Sequence, residues 1–216
     1  QQRLAPDADA AGAAPDSKPL QELWASAYEA WVGPAGAGPE EVVYLRPAGG
    51  PEAAGAAEDA CAAPWPAWVA ETRALAAAGE GLFGLTAFNP MGEDRPHAEN
   101  LRQNLLLQRD VEELCRETGG TWWRSFGFAE DWHEKGFTVA APRDRVVELA
   151  KKYRQGAVYR FGALGSGDEE DGARCGAPFL RQTVPALLGD TEADVPVEPT
   201  PRPDLARADP RWEPSE

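Results

Sequence analysis

Residues 82–88 read LFGLTAF, and almost every position in this stretch is apolar. A strand that is hydrophobic on both faces is typical of the centre of a sheet that is covered on both sides. The dipeptide Asn89-Pro90 follows directly and ends the strand, because proline cannot continue the hydrogen-bonded ladder. The segment is therefore predicted to be a central strand around which the rest of the fold is arranged.

Two helices and three more strands are predicted on the C-terminal side of this strand. A helix is expected from about residue 96 to 118, where two glycines stop it. Strands are expected over 121–128 and 136–140, a second helix begins at Pro142, and a last strand covers 157–161. The predicted order of elements is β-α-β-β-α-β.

That order over residues 82–161 is typical of a ferredoxin-like sandwich with a small antiparallel or mixed sheet. Such a sheet leaves one face bare, and helices predicted at 20–32 and 66–78 would cover it. The sequence therefore predicts a single α/β (α+β) domain over residues 20–163. A mixed sheet with helices on both faces would use the same elements and stays open as an alternative.

Both ends of the chain differ from this centre in composition. The formal net charge is −15, and the acidic residues concentrate on either side of a nearly neutral central block. Residues 1–19 are of low complexity and rich in Ala, and they are predicted to form an extended N-terminal arm. Residues 164–216 are predicted to form an acidic loop followed by an extended, Pro-rich C-terminal arm, because closely spaced prolines interrupt helices.

The composition excludes several classes of function. An acidic chain with a pI of about 4.6 is not expected to bind nucleic acid or an anionic membrane surface. No run of about 18 apolar residues is present, so no transmembrane segment is predicted. Three scattered cysteines and two histidines have no ligand spacing, so neither a disulfide scaffold, a metal site nor a cofactor is predicted.

Several short motifs occur in an order that resembles a known family. They are LWASAYEAWV (23–32), LTAFNP (85–90), WHEKGF (132–137) and RQGAVYRF (154–161), with Asn100 and Asn104 on the helix after the second motif. In this order they resemble the family of unknown function 3293 (DUF3293), and the resemblance extends over about residues 20–162. It implies a small α/β domain and brings no established activity, substrate or cofactor.

A group of polar residues in this region is the candidate for a small-ligand pocket. Its members are Asn89, Asn100, Asn104, Glu134 and Gln155. Asn89 follows a central strand, where ligands often meet α/β sheets. The group contains neither a nucleophile nor an evident acid–base pair, so no catalytic residue is predicted. The structural interpretation is favoured, with Asn89 in a turn, Gln155 at a helix end and Glu134 in an ion pair.

The leading hypothesis for function is a non-catalytic accessory subunit that binds other proteins in a large assembly. Ends rich in Pro and acids bury too little surface to order themselves, so they are expected to lie against neighbouring proteins. Partner contacts are predicted at Trp212, Pro199, Pro201 and Pro203.

The predicted location is an organelle. The chain starts at Gln1, which indicates a processed or truncated product, and removal of an organelle-targeting segment is one explanation. Arg is far more frequent than Lys, as in GC-rich genomes. The prediction is a peripheral subunit of an algal photosystem at the chloroplast thylakoid, with a mitochondrial respiratory complex as the second choice.

Two other functions stay open. The first is a small-ligand-binding domain or an enzyme of unknown reaction that uses Asn89, Asn100, Glu134 and Gln155. The second is an acidic adaptor for a basic protein partner, whose affinity would fall steeply with added salt.

Overall fold

A computed structural model describes residues 24–33, 42–48, 81–163, 179–189 and 194–214. The described part contains eight strands, two α-helices and two short 3-10 turns, and residues 24–26 are also helical. The strands are β1 (Tyr28–Val32), β2 (Val42–Pro47), β3 (Leu82–Thr86), β4 (Thr121–Phe128), β5 (His133–Ala140), β6 (Ala157–Ala163), β7 (Phe179–Pro185) and β8 (Asp194–Thr200). The helices are α1 (His97–Thr118) and α2 (Arg143–Lys152), and the turns are Pro90–Gly92 and Ala206–Ala208.

The eight strands form one closed antiparallel barrel. Their order around the barrel is β1-β2-β8-β7-β6-β3-β5-β4, and β4 pairs with β1 to complete the circle. Closure leaves no free sheet edge among these strands. Because side chains alternate between the two faces of a strand, each strand sends every second residue into the barrel.

The predicted ferredoxin-like α/β sandwich is wrong. In such a sandwich β4 and β6 would be the two outer strands, but here β4 pairs with β1 and β6 pairs with β7. The face that the prediction left bare has become the barrel interior, so it needs no covering helices. Residues 179–185 and 194–200, expected in an acidic loop and an extended arm, form β7 and β8 of the same barrel.

The helix predicted over residues 20–32 is wrong from residue 28 onward. Residues 24–26 are helical, whereas residues 28–32 form β1. Both faces of β1 are buried, with Trp31 inside the barrel and Ala30 outside it. A short run that is apolar on both faces suits a buried strand as well as a helix, so periodicity alone does not separate them. The predicted helix at 66–78 and the arm at 1–19 lie outside the described residues.

One half of the barrel interior is filled by large side chains. Trp31 is fully buried and lies edge-on to Phe161, Phe179 and Trp123, with ring centroids 5.0, 5.4 and 5.8 Å away. Every strand contributes to this cluster, which also contains Val43, Leu45, Leu82, Ala140 and Val197. These contacts hold the strands together from within, because edge-on aromatic pairs add to the gain from burial.

The two helices cover the outer face of β3, β5 and β6. Leu107, Val111 and Leu114 of α1 and Val146 and Ala150 of α2 are buried there. Helix α1 ends where Gly119 adopts a left-handed φ of 70°, which glycine tolerates without strain. Covering this face explains why the strand at residues 82–86 is apolar at inner and outer positions alike.

The last described residues, 201–214, form a C-terminal segment that covers the outer face on the opposite side. Ala208 is fully buried against Tyr44, and the Tyr44 hydroxyl donates a 3.0 Å hydrogen bond to the Ala208 carbonyl. His133 Nδ1 donates to the Arg207 carbonyl at 2.9 Å, and the imidazole lies between the rings of Phe126 and Trp212. The segment is therefore part of the barrel's packing.

The prolines of β8 occupy positions where a ladder hydrogen bond is not needed. The Pro196 carbonyl accepts a 2.8 Å hydrogen bond from the Ala48 backbone, so the Pro196 nitrogen faces the side of β2, which ends at Pro47. By alternation the Pro199 nitrogen faces the side of β7, whose first residue pairs with Val197. Each proline thus faces a neighbour that has already ended, which fits the confinement of proline to edges.

Replacing Trp31 with Ala is expected to destabilise the barrel by about 3–5 kcal/mol, because it opens a cavity in the aromatic cluster that joins the strands. The matched control is Leu105→Ala on the exposed face of α1, where 62% of the residue is accessible and a change within about 0.5 kcal/mol is expected. Urea unfolding followed by circular dichroism measures both. Equal stability losses in the two variants would contradict the assigned core.

Replacing Trp212 with Ala is expected to raise the pKa of His133. Burial lowers that pKa to about 4 in the native chain, and the Trp212 ring, 5.1 Å away, supplies part of the burial. An NMR titration of the imidazole protons measures the shift toward the ordinary value of about 6.5. The control is Pro201→Ala, at an exposed position of the same segment, and it should leave the pKa of His133 unchanged.

Candidate functional site

The half of the barrel interior that the aromatic cluster leaves open contains a cavity of about 360 Å³. Its walls are formed by inward positions of β1, β3, β4, β5, β6 and β7. Most of these positions carry small residues, namely Gly84, Thr86, Ser125, Gly127, Gly136, Ala157 and Thr183. The cavity therefore exists because small side chains replace the large aromatic ones toward this end of the barrel.

Two glutamates face the cavity at the same level of the barrel. Register pairs Glu29 of β1 with Gly127 of β4, and Gly127 with Glu134 of β5. The two glutamate backbones are thus two strand spacings apart, roughly 10 Å. Gly127 contributes no side chain between them, and a Cβ there would lie 3.7 Å from Glu29 Oε1 and 3.1 Å from the Trp132 ring. The two side chains therefore share the space above Gly127.

Glu29 is the more deeply buried member of the pair. Only 4% of the residue is accessible, and its Oε1 atom has no hydrogen-bond donor. The nearest cation is Arg181, whose Nη1 lies 3.7 Å from that oxygen. Burial raises the pKa of Glu29 to about 8, the Arg181 charge opposes the rise, and the Glu134 charge adds to it. The carboxyl group is therefore mostly protonated at neutral pH.

Arg181 is held in place by backbone carbonyls. Its guanidinium donates to the carbonyl oxygens of Ala27 at 2.8 Å, Trp24 at 2.7 Å and Ala25 at 3.3 Å. It also lies 4.7 Å from the centre of the Tyr159 ring. These contacts engage three of the five N–H donors of a fully buried cation and tie the residues before β1 to β7. Arg181 is thus a fixed neighbour of the cavity and is not among the residues that line it.

Glu134 is held by an amide. Asn89 Nδ2 donates a 3.1 Å hydrogen bond to Glu134 Oε1. Burial raises the pKa of Glu134 to about 7; the bond from Asn89 acts against the rise, and the charge of Asp94 adds to it. The cavity thus contains two carboxyl groups whose pKa values both lie near neutral pH. Such groups are found at functional sites more often than elsewhere.

Asn89 is itself fixed by a second asparagine. The Asn89 backbone N–H donates to Asn100 Oδ1 at 3.0 Å, and Asn100 Nδ2 donates to Asn89 Oδ1 at 2.8 Å. Asn89 has a left-handed φ of 42°, a conformation that asparagine tolerates better than most residues. These two reciprocal hydrogen bonds join the end of β3 to the start of α1. They also orient the Asn89 Nδ2 group toward Glu134.

The two other predicted amides hold the same stretch of chain. Gln155 lines the cavity, and its Nε2 donates a 3.0 Å hydrogen bond to the Phe88 carbonyl. Asn104 Oδ1 accepts a 3.4 Å hydrogen bond from the Ala87 backbone. Asn100 and Asn104 do not line the cavity. The structure therefore brings Asn89, Glu134 and Gln155 together at the cavity wall and places Asn100 and Asn104 behind them.

The cavity mouth is aromatic and acidic. Trp24 and Trp132 line it, and the Trp132 Nε1 donor is buried without an acceptor. Asp94 and Asp131 lie in the loops around it. In the described part of the chain, no group of three His, Cys, Asp or Glu side chains is arranged to hold a metal ion.

Sequence reasoning missed several residues of the site. Glu29 was hidden because its segment was predicted to be a helix, in which it would have been a surface charge. Arg181 and Thr183 were hidden because β7 was expected to be part of an arm. The alternation of Phe179, Arg181 and Thr183 with other residues was the available signal, but it indicates an inner face only once the barrel is known.

The predicted partner-binding residues lie in β8 and in the C-terminal segment that follows it. Trp212 packs on His133 and on the guanidinium of Arg207, 5.2 Å from the ring centre, while Pro201 is exposed. Pro199 pairs with Leu45 through its backbone. Partner binding by these residues stays a prediction. Neither described helix is long and apolar enough to cross a membrane.

Replacing Glu29 with Gln is expected to change how stability depends on pH. A carboxyl group whose pKa is raised by folding stabilises the native state below its unfolded pKa of about 4.5, and this contribution is lost as pH rises toward 8. The variant lacks the titration, so its stability relative to the native chain should increase by about 1 kcal/mol per pH unit between pH 5 and 8.

Urea unfolding at several pH values measures this difference. Glu130→Gln, at an exposed position near the cavity mouth, is the matched control, and its stability relative to the native chain should be the same at each pH. If the relative stability of Glu29→Gln changed no more with pH than that of the control, the pKa of Glu29 would be the same in the folded and unfolded chain, and the prediction would be wrong.

Comparison with known proteins finds one family. Residues 85–158 match the model of the family described as "Protein of unknown function (DUF3293)", whereas no curated protein and no solved structure matches the chain. The matched residues include Asn89, Glu134 and Gln155 and run from the end of β3 into β6. Glu29 and Arg181 lie on strands outside the match. The central part of this chain is therefore a DUF3293-like domain, and the strands that flank it complete the barrel around the cavity.

Proposed function

We propose that this protein binds a small polar molecule inside its barrel. The observation that carries the proposal is the open half of the interior, where the buried carboxyl group of Glu29, the half-buried one of Glu134 and two amides converge on the same space. Barrels of eight strands are just wide enough to be filled by side chains or to hold one small ligand. Here the aromatic cluster fills one half, and small residues keep the other half open.

The size and the chemistry of the cavity support the proposal. A volume of about 360 Å³ is at the lower end of the range for small-molecule sites. Glu29 Oε1 is a buried acceptor and Trp132 Nε1 a buried donor, and neither has a hydrogen-bond partner. Buried polar atoms are nearly always hydrogen-bonded in folded proteins, so these two are expected to contact a ligand or water.

The accessory-subunit hypothesis stays a prediction, as do the chloroplast and mitochondrial locations and the acidic adaptor. The reasoning behind it was that the C-terminal residues need a partner to be ordered. The described C-terminal segment packs on its own barrel, through Ala208, His133 and Trp212. The cavity is the stronger basis for a function, because it brings together residues from six strands.

Filling the cavity is expected to abolish binding without unfolding the barrel. Ala157 lines the cavity at the start of β6 and is only half-buried, so Ala157→Leu extends into the open space. Saturation-transfer NMR with a panel of small amines, alcohols, amides and carboxylates of 6–12 non-hydrogen atoms is expected to find binders to the native chain and at least tenfold weaker binding to the variant.

Arg124→Leu is the matched control, because Arg124 is exposed on the outer face of β4. It adds an apolar side chain of the same kind without entering the cavity, and ligand binding should be unchanged. Thermal unfolding of both variants checks that the barrel is intact. A panel with no binder to the native chain, or binders that Ala157→Leu leaves unaffected, would contradict a ligand site in the cavity.

A further inference from the structure

We propose that the ligand of this cavity is a compact organic cation, whose ammonium or amidinium group lies between Glu29 and Glu134 above Gly127. The inference rests on the proposed function and names the class of molecule that the site takes. It follows from the charges that face the cavity, from the unpartnered carboxylate oxygen and from the aromatic rings at the mouth.

The charged residues that line the cavity all have the same sign. Glu29 and Glu134 lie inside the barrel, and Asp94 and Asp131 lie at the mouth. No Lys or Arg is among the described residues that line the cavity. The buried cation nearest to the pair is Arg181, which faces Glu29 from β7 and is bonded to three backbone carbonyls. Arg181 can balance the negative charge of one ionised carboxyl group, so one more positive charge is needed to balance the second.

The hydrogen bonds of the pair lead to the same conclusion. Glu134 accepts from Asn89, whereas Glu29 Oε1 has no donor although it is buried. An ammonium group supplies three donors and an amidinium four, so either one can reach both carboxyl groups from the space above Gly127. An anionic ligand would meet four acidic residues there, and a carboxylate or phosphate is therefore excluded by its charge.

The walls around the pair favour an organic cation over a metal ion. The described residues offer no group of three acidic, His or Cys ligands. The Tyr159 ring lies on the inner face of β6, and the indole rings of Trp24 and Trp132 lie at the mouth. Aromatic faces attract organic cations, and they also pack against the apolar part of such a molecule. A cation that carries a small apolar group satisfies both requirements.

Binding of such a cation is coupled to proton release. The groups that face the pair are Arg181 from β7, Tyr159 from β6, and Asn89, Asp94 and Asp131 from the loops. Burial raises the pKa values of Glu29 to about 8 and Glu134 to about 7, so both carboxyl groups are largely protonated at pH 6. A bound cation favours the ionised form, and its affinity should therefore increase as pH rises from 6 to 8.5.

The experiment compares three probes of similar shape: benzylamine, benzyl alcohol and benzoate. Dissociation constants are measured by NMR on the native chain at pH 6 and 8.5. Benzylamine is expected to bind at least tenfold more tightly than benzyl alcohol at pH 8.5 and to weaken at pH 6, and benzoate is expected not to bind. Benzyl alcohol, which is neutral, should show a much smaller dependence on pH.

Variants test whether the two carboxyl groups are responsible. Glu134→Gln and Glu29→Gln keep the shape of each side chain and remove its charge, and each should weaken benzylamine about tenfold while changing benzyl alcohol less than threefold. Glu130→Gln removes an exposed charge near the mouth and should change neither. The comparison of the three probes on the native chain needs no variant, so it stays decisive if a substitution impairs folding.

The outcomes separate this inference from the proposed function. Equal binding of benzylamine and benzyl alcohol, lost in Ala157→Leu, would overturn the cation and leave the ligand site standing. Tighter benzylamine binding that Glu29→Gln and Glu134→Gln do not weaken would also overturn it, because the cation would then lie elsewhere. If none of the probes, and no member of the wider panel, bound the native chain, the ligand site itself would fail.

Discussion

Closure of the sheet is the constraint on which the rest of this structure depends. Once β1 pairs with β4, every strand has one face toward a common interior, and the inward residues of all eight strands must share a fixed volume. Large side chains at one end and small ones at the other divide that volume. The aromatic cluster around Trp31 stabilises the barrel, and the cavity is what the small residues leave unfilled.

The outer face imposes a second requirement, since it is apolar on two sides of the barrel. Helices α1 and α2 cover β3, β5 and β6, while residues 201–214 cover β1, β2 and β4. A short, irregular segment can replace a helix here because it needs only a few well-placed contacts, such as the Tyr44 hydroxyl on the Ala208 carbonyl. The barrel is therefore enclosed by elements from the middle and from the C-terminal end of the described sequence.

The polar groups of the cavity are costly to bury, and the surrounding contacts show how the cost is reduced. Arg181 has backbone acceptors, Asn89 has Asn100, and Glu134 has Asn89. Glu29 is the exception, because its Oε1 atom has a cation 3.7 Å away but no hydrogen bond. A buried carboxyl group with incomplete partners raises its pKa instead of remaining ionised, and this makes the cavity sensitive to pH.

Local sequence patterns were enough to place the elements between residues 82 and 161 and to identify part of the site. The signals for these elements depend on neighbouring residues only: helix periodicity, the two glycines after Thr118 and the apolar run before Asn89. The helices and strands of this region therefore lie within a few residues of their predicted positions. Glu134 and the amides were recognisable because their chemistry is local. Closure of the barrel, the burial of Glu29 and its position opposite Glu134 were decided by the tertiary structure alone, because pairing between strands far apart in the chain determines which residues face inward.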